Sequence, residues 1–428
     1  MNTYEHSVFL DREKCNGCTT CLRHCPTEAI RIRDNHAVIN EQRCIDCGEC
    51  IRICPNKAKK AVYSRFDVLD KFKWCIALPA PALYAQFDNL DEVERVRNGL
   101  LKIGFQDVFE VAAAAELVSA YTRMYLKTEG IKKPVISSAC PVVMRLISLR
   151  YPSLKDNILQ MLPPVEIAAM LARKSAKEQH PELSDEDIGI IFISPCPGKV
   201  SYVKNGFGDY ESKIDAVISI SDAYFRLINE MKPDETVETT PNFGKIGIGW
   251  AKSGGECSAL LNEDYLAADG IENVNRVLDQ IENGNISKLE FIELNACTGG
   301  CVGGVMTVQN PFIAKARLQS LRKYLPVSQN NVSDSPYIPE DYFFGSFPKY
   351  TPISRLSESR AESMRMMADI QKLREMLPGI DCGSCGAPNC RAFAEDVVRK
   401  TANKNDCIIM MRPEIKKYLE AKEEENDG

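Results

Sequence analysis

The residues best equipped for chemistry in this chain are its cysteines. There are 18 in 428 residues, and 16 of them fall into spaced motifs. Residues 15 to 26, "CNGCTTCLRHCP", and 44 to 55, "CIDCGECIRICP", repeat the pattern Cys-x2-Cys-x2-Cys-x3-Cys-Pro. Three thiolates at that spacing wrap one face of a 4Fe-4S cubane, and the fourth cysteine of each run reaches across to the other cluster. This assigns Cys15, Cys18, Cys21 and Cys54 to one cluster and Cys44, Cys47, Cys50 and Cys25 to its partner. Zinc is the weaker reading, because tetrahedral zinc sites use paired Cys-x2-Cys units and give the trailing Cys-Pro no role. His24, between two ligands, reads as a solvated residue or one lying just outside the ligands.

Elements that position the remaining cysteines follow. From about residue 74 to 345, short apolar runs alternate with longer helical segments, which predicts an α/β domain. The runs "KWCIALPAP", "DVFEVAAAA", "KPVISSACP", "IGIIFISPCPGK", "IDAVISI" and "LEFIELNACTGGC" read as strands. Three of them end in a cysteine, Cys140, Cys196 and Cys297, and the carboxyl ends of strands are where α/β proteins build sites. With Cys301, expected one helical turn beyond Cys297, these four would hold a single cluster. The glycines of "CTGGCVGG" are expected to let the backbone approach that bulky group. Cys75 and Cys257 stand alone and read as core residues.

Beyond these, "FGSFPKYTPISR" (344 to 355) reads as a linker. "SESRAESMRMMADIQKLREMLPG" places Met366, Ile370, Leu373 and Leu377 on one helical face and stops at Pro378-Gly379. Next come "DCGSCGAPNC" and, after sixteen further residues, Cys407, so Cys382, Cys385, Cys390 and Cys407 are expected to hold another 4Fe-4S cluster, with zinc as the alternative. The domain order is then a two-cluster unit over 1–62, an α/β domain over 63–345, a linker over 346–362 and a small helical iron-sulfur domain over 363–428. The fold class is α/β within an α+β whole.

The N-terminal repeat resembles two-cluster bacterial ferredoxins, which implies electron transfer. "SSACP", "SPCPGK" and "ELNACTGGCVGG" are similar to the three signature segments of the iron-only (FeFe) hydrogenases. That resemblance implies an H-cluster, a 4Fe-4S cubane joined through one cysteine to a di-iron unit carrying carbon monoxide, cyanide and azadithiolate. Carried over residue by residue, Cys140, Cys196 and Cys297 would bind the cubane and Cys301 would bridge to the di-iron unit. Lys199 would donate a hydrogen bond to an iron-bound cyanide, a role that suits a compact ammonium. The "DCGSCGAPNC" segment is similar to a four-cysteine 4Fe-4S domain carried by sensory and other multi-domain relatives, giving three further clusters besides the H-cluster.

The chain departs from the catalytic members at one telling place. Where they have a proton-carrying cysteine before the first cluster ligand, it has Ala139. In our alignment two relay glutamates fall on Thr122 and Tyr125 and a relay serine on Leu159, while cluster-contacting positions become Ser194, Asn295 and Ala82. A positioned proton-transfer group is worth about 10² to 10⁴ in rate. Low turnover and a hydrogen-sensing role are therefore expected. Glu256 and Cys257, after a Gly-Gly pair in "KSGGECS", offer an alternative proton route. The opposing reading makes Cys257 core packing and Glu256 a surface carboxylate.

Composition narrows the partners. The net charge of −6 and the absence of a basic run argue against nucleic acid, and no apolar stretch is long enough for a membrane span. Without a signal-peptide pattern the expected location is the cytoplasm. Expected partners are H2, ferredoxin or another redox or signalling protein, and hydrogenase maturation proteins. Two other readings stand beside the sensor. One is a slow ferredoxin-linked hydrogenase, and the other an iron-sulfur electron-transfer or assembly protein without the di-iron unit.

Overall fold

The computed structural model describes residues 4–88, 90, 92–231, 241–286, 288–330, 332, 337–347, 356–413 and 415. Most of the expected linker and the acidic tail "EAKEEENDG" lie outside the described residues. The chain begins with two antiparallel pairs. β1 (Val8–Leu10) pairs with β4 (Lys59–Ala61), and β2 (Ile30–Arg33) with β3 (His36–Ile39). Each pair caps one end of a unit whose cysteines sit on the loops and single-turn helices between. Leu22, Ile30 and Ala37 form its small core.

The central part is α/β, as expected. A parallel sheet runs in the order β6 (Asp107–Val108), β5 (Trp74–Pro79), β8 (Ile188–Ser194), β9 (Ala216–Ser219). A second, also parallel, runs β10 (Tyr265–Asp269), β11 (Phe291–Asn295), β7 (Val135–Ile136). All seven residues of β8 are buried, as the unbroken run "IGIIFIS" demands of a central parallel strand covered on both faces. Helices 94–102, 164–179 and 220–230 flank the first sheet, and helix 271–282 packs on the second.

Two expectations need correction here. The alanine run after Val108 is the start of a buried helix, Val111–Tyr125, so that strand is only two residues long. Alanine is the best helix former, and period two is absent from the run. The strand β10, "YLAAD", was not expected at all. It is half-exposed and short, and its pairing to β11 rather than its own pattern makes it a strand.

At the C-terminus, helix Arg360–Met376 packs on helix Cys390–Val398. The stripe expected to pack does so through Ile370, Leu373 and Leu377 against Phe393 and Ala394. Met366 does not join that core, and Met364 and Met367 are exposed.

Candidate functional site

Three of the four central cysteines sit where parallel strands end. Cys140 follows β7 and caps helix Pro141–Arg150; Cys196 follows β8 and caps helix Pro197–Asn205. In both helices proline occupies the first turn, where its missing N–H has no partner to lose. Cys297 follows β11, and the two helices pack on each other, so the carboxyl ends of both sheets converge. Cys301 does not lie a helical turn beyond Cys297. A tight turn joins them, closed by Gly300 N donating to Cys297 O at 3.0 Å, with Gly299 and Gly300 at φ +85° and +88°.

The glycines of "CTGGCVGG" meet protein rather than open space. A Cβ on Gly300 would stand 2.4 Å from Ser253 N, and one on Gly304 2.2 Å from Pro195 O. Their smallness lets three backbone segments close around the cysteines.

The four thiols feel one another. Burial pushes Cys196 up to about 11 and Cys301 up to about 12, with Cys140 adding to both; Cys297 is raised by burial and then by Cys196. Lys199 acts in the opposite sense on Cys196 and Cys301, which places its charge beside them. Its Nζ donates to Ala139 O at 3.2 Å. Thiols held this high need a cation to ionise, and a polynuclear metal group supplies one.

The ferredoxin-like part shows the crossed pattern expected of it. A cavity of about 330 Å³ is walled by Cys15, Cys18, Cys21 and, from the other run, Cys54. Burial raises Cys21 to about 11, and its thiol neighbours are those same three. Cys47 is raised by burial and then by Cys25, Cys50 and Cys44. At the C-terminus Cys382, Cys385, Cys390 and Cys407 line a cavity of about 310 Å³.

Among the described residues, only His6, Cys44 and Asp46 bring three ligand atoms within 4.8 Å of one another. A zinc ion with 2.3 Å Zn–S bonds draws its sulfurs to about 3.8 Å. The cysteine foursomes are too open for one ion and fit a cubane. His24 is exposed and bonded to Thr20 O at 2.9 Å.

Around Ala139 lies a network of buried acids. Ser137 Oγ donates to Glu256 Oε2 at 2.6 Å and accepts from Ala139 N at 3.1 Å. Glu256 is 4% exposed, so the surface-carboxylate reading is overturned; its Oε1 has no partner. Burial, then the charge of Glu293, holds its carboxyl well above the usual range. Glu293 itself accepts from Gly254 N, Cys257 N and Asn295 Nδ2. Cys257 is fully buried, its thiol 3.7 Å from Leu266 O, and burial pushes it up as well.

Sequence reasoning missed Ser137 and Glu293. Ser137 stood inside a quoted motif, and Glu293 is an acid in an otherwise apolar buried strand, which was the available signal. The interrupted relay positions are as unsuited to protons as their types suggest. Leu159 is buried and apolar, Thr122 Oγ1 is buried without a partner, and Tyr125 stacks toward Phe343 with centroids 6.4 Å apart. Ala82 is buried, and Ser194 Oγ bonds only within its own turn, to Cys196.

Comparison with known proteins agrees with this geometry. The family described as the iron-only hydrogenase large subunit, C-terminal domain, matches residues 73–262 and 256–305; a 4Fe-4S dicluster domain matches 7–55 and an Fe-S cluster family matches 377–409. The chain belongs to the iron-only hydrogenase family and is an iron-sulfur oxidoreductase of hydrogenase type. It is 28% identical to the periplasmic Fe hydrogenase large subunit of Nitratidesulfovibrio vulgaris over 366 residues, covering 70% of this chain and 86% of that protein. A 54-residue stretch, 13% of this chain and 24% of the other, is 35% identical to an uncharacterized protein of Methanocaldococcus jannaschii. Among solved structures, the apo FeFe-hydrogenase variant from Chlamydomonas reinhardtii aligns with TM-score 0.47 at 16% identity, covering 62% of this chain and 88% of that one. No helix among the described residues is long and apolar enough to cross a membrane.

Proposed function

We propose that this chain binds and reversibly splits H2 at an H-cluster, with low turnover, and serves as a hydrogen sensor. Cys140, Cys196 and Cys297 would hold the cubane, Cys301 would bridge to the di-iron unit, and Lys199 would donate to a cyanide of that unit. Three further 4Fe-4S clusters would occupy the other cysteine foursomes. When bound, the H-cluster supplies the chemistry of hydrogen cleavage. The overall reaction is H2 + 2 oxidised ferredoxin = 2 reduced ferredoxin + 2 H+. The cytoplasm is the proposed location, with maturation proteins supplying the di-iron unit.

One observation carries the reading of low turnover. At the position beside Cys140 the chain offers only a methyl group, with Ala139 N–H bonded to Ser137 and its carbonyl taken by Lys199. Nothing there can pass a proton. A second reading, a slow ferredoxin-linked enzyme, is favoured by Glu256, whose buried carboxyl is linked through Ser137 to the Ala139 backbone and can retain a proton near neutrality. Infrared absorption after maturation with the di-iron unit separates these readings. Carbon monoxide and cyanide bands that shift under hydrogen while turnover stays slow are the expected result. No such bands after competent maturation would leave an iron-sulfur carrier without the di-iron unit.

A further inference from the structure

The C-terminal four-cysteine module is built onto the ferredoxin-like unit rather than trailing from it. Ile32 N donates to Gly386 O at 2.9 Å, and Arg33 Nη1 donates to the same carbonyl at 3.2 Å. Arg31 Nε and Arg33 Nη2 converge on Asp396 Oδ2 at 2.6 and 2.7 Å, and Arg43 Nη2 reaches Glu395 Oε1 at 2.7 Å. Asp396 is 7% exposed, so these pairs are unlike the solvated surface bridges that contribute little. Removing one partner would strand a buried charge. Gly386, at φ +77°, is pressed so close that a Cβ there would stand 2.3 Å from Ile32 O.

The contact brings particular cysteines together. Arg23, two residues after Cys21, donates to the carbonyl of Cys382 at 2.5 Å. A Cβ on Gly383, the next residue, would stand 3.4 Å from Leu22 Cδ2. The hairpin that receives the module also lines the cavity of Cys15, Cys18, Cys21 and Cys54, through Ile32 and Ala37. On its other side the ferredoxin-like unit meets the central domain. Arg52 Nη2 donates to Gly303 O at 2.9 Å, Arg145 Nε donates to Cys44 O at 2.7 Å, and Cys47 packs on the central core.

We infer that the Arg31/Arg33/Arg43–Asp396/Glu395 interface is an electron junction. It fixes the cysteine sets in one file: the C-terminal four, then Cys15/Cys18/Cys21/Cys54, then Cys25/Cys44/Cys47/Cys50, then the central four. The C-terminal module is thereby the outer terminal of the molecule, where an external one-electron carrier protein exchanges electrons. Each H2 split yields two protons and two electrons, and such a carrier takes the electrons singly. This rests on the proposed reading that the foursomes hold 4Fe-4S clusters. A rival terminal exists at Cys18, whose side chain is exposed on the unit's free face.

The test uses the full-length protein loaded with iron and sulfide and reduced stepwise, followed by low-temperature electron paramagnetic resonance. Adjacent reduced clusters should show spin–spin splitting that includes the C-terminal cluster, identified by its disappearance in C407S. In the double variant E395K/D396K, iron content should stay unchanged while that splitting is lost. The exchanged-charge variant R31E/D396R, with Glu395 intact, should recover it and guards against a variant that merely misfolds. Splitting that persists in E395K/D396K, or a fully loaded wild type without any splitting at the C-terminal cluster, overturns the junction and leaves the cluster assignment standing. A C-terminal module without iron overturns both.

Discussion

The outer and central cysteine sets solve the same problem by different means. The Cys15/Cys18/Cys21/Cys54 set is held by short loops and single-turn helices, with Cys18 exposed and its thiol pulled below its ordinary value by bonding to Thr20. The central set is gathered from strand ends up to 161 residues apart along the chain, between Cys140 and Cys301, and Cys301 is pushed up to about 12. A locally encoded site tolerates solvent, whereas one assembled by the fold is sealed by it. Burial then does the electrostatic work that local bonding does at the surface.

Thiol reactivity in the iron-free protein would break or sharpen that contrast most. At pH 8 the thiolate fraction of Cys301 should lie about three orders of magnitude below that of an ordinary thiol. Alkylation mapped by mass spectrometry should therefore mark Cys18 early and Cys301 last; equal rates would show that the central site is not sealed. Next in size, Glu256→Gln should slow residual hydrogen uptake by about 10²-fold in the matured protein. Unchanged kinetics would remove Glu256 from any proton route.

A pH effect on stability comes third. Glu110 is buried against Tyr84, whose hydroxyl donates to it at 2.6 Å, and burial raises its carboxyl to about 7 from 4.5. The folded state keeps a proton there that the unfolded chain has already lost. The stability this gives is complete below pH 4.5 and is lost as the pH rises through about 7, an upper bound of about 3 kcal/mol. Denaturant melts of Glu110→Gln should lack that slope between those limits. The smallest effect is expected of Ala139→Cys, a gain in turnover of less than about tenfold, because Leu159 and Thr122 leave the rest of the relay broken. A gain of about 10² or more would show that one link suffices.

The local cysteine runs were legible because spacing alone carries their chemistry. The strands ending in Cys140, Cys196 and Cys297 were legible too, since a buried parallel strand writes an unbroken apolar run. What lay beyond reach depends on distant partners. The pairing of Ser137 with Glu256 joins residues 119 positions apart, and the unexpected strand Tyr265–Asp269 is one only because Phe291–Asn295 lies beside it. The turn between Cys297 and Cys301 was misread as helical because an i, i+4 spacing fits a helix as well as a loop; the positive φ of Gly299 and Gly300 decides it.

The crossed cavity walls of the first unit also set a timetable for biogenesis. The pocket opened by Cys15, Cys18 and Cys21 is closed by Cys54, so the ribosome must release the second run before the first can trap iron. The central set waits for Cys301 and the C-terminal set for Cys407. Metal loading during synthesis can then proceed only from the N-terminal end inward, and the part that would react with hydrogen is armed after its first conductors are already in place.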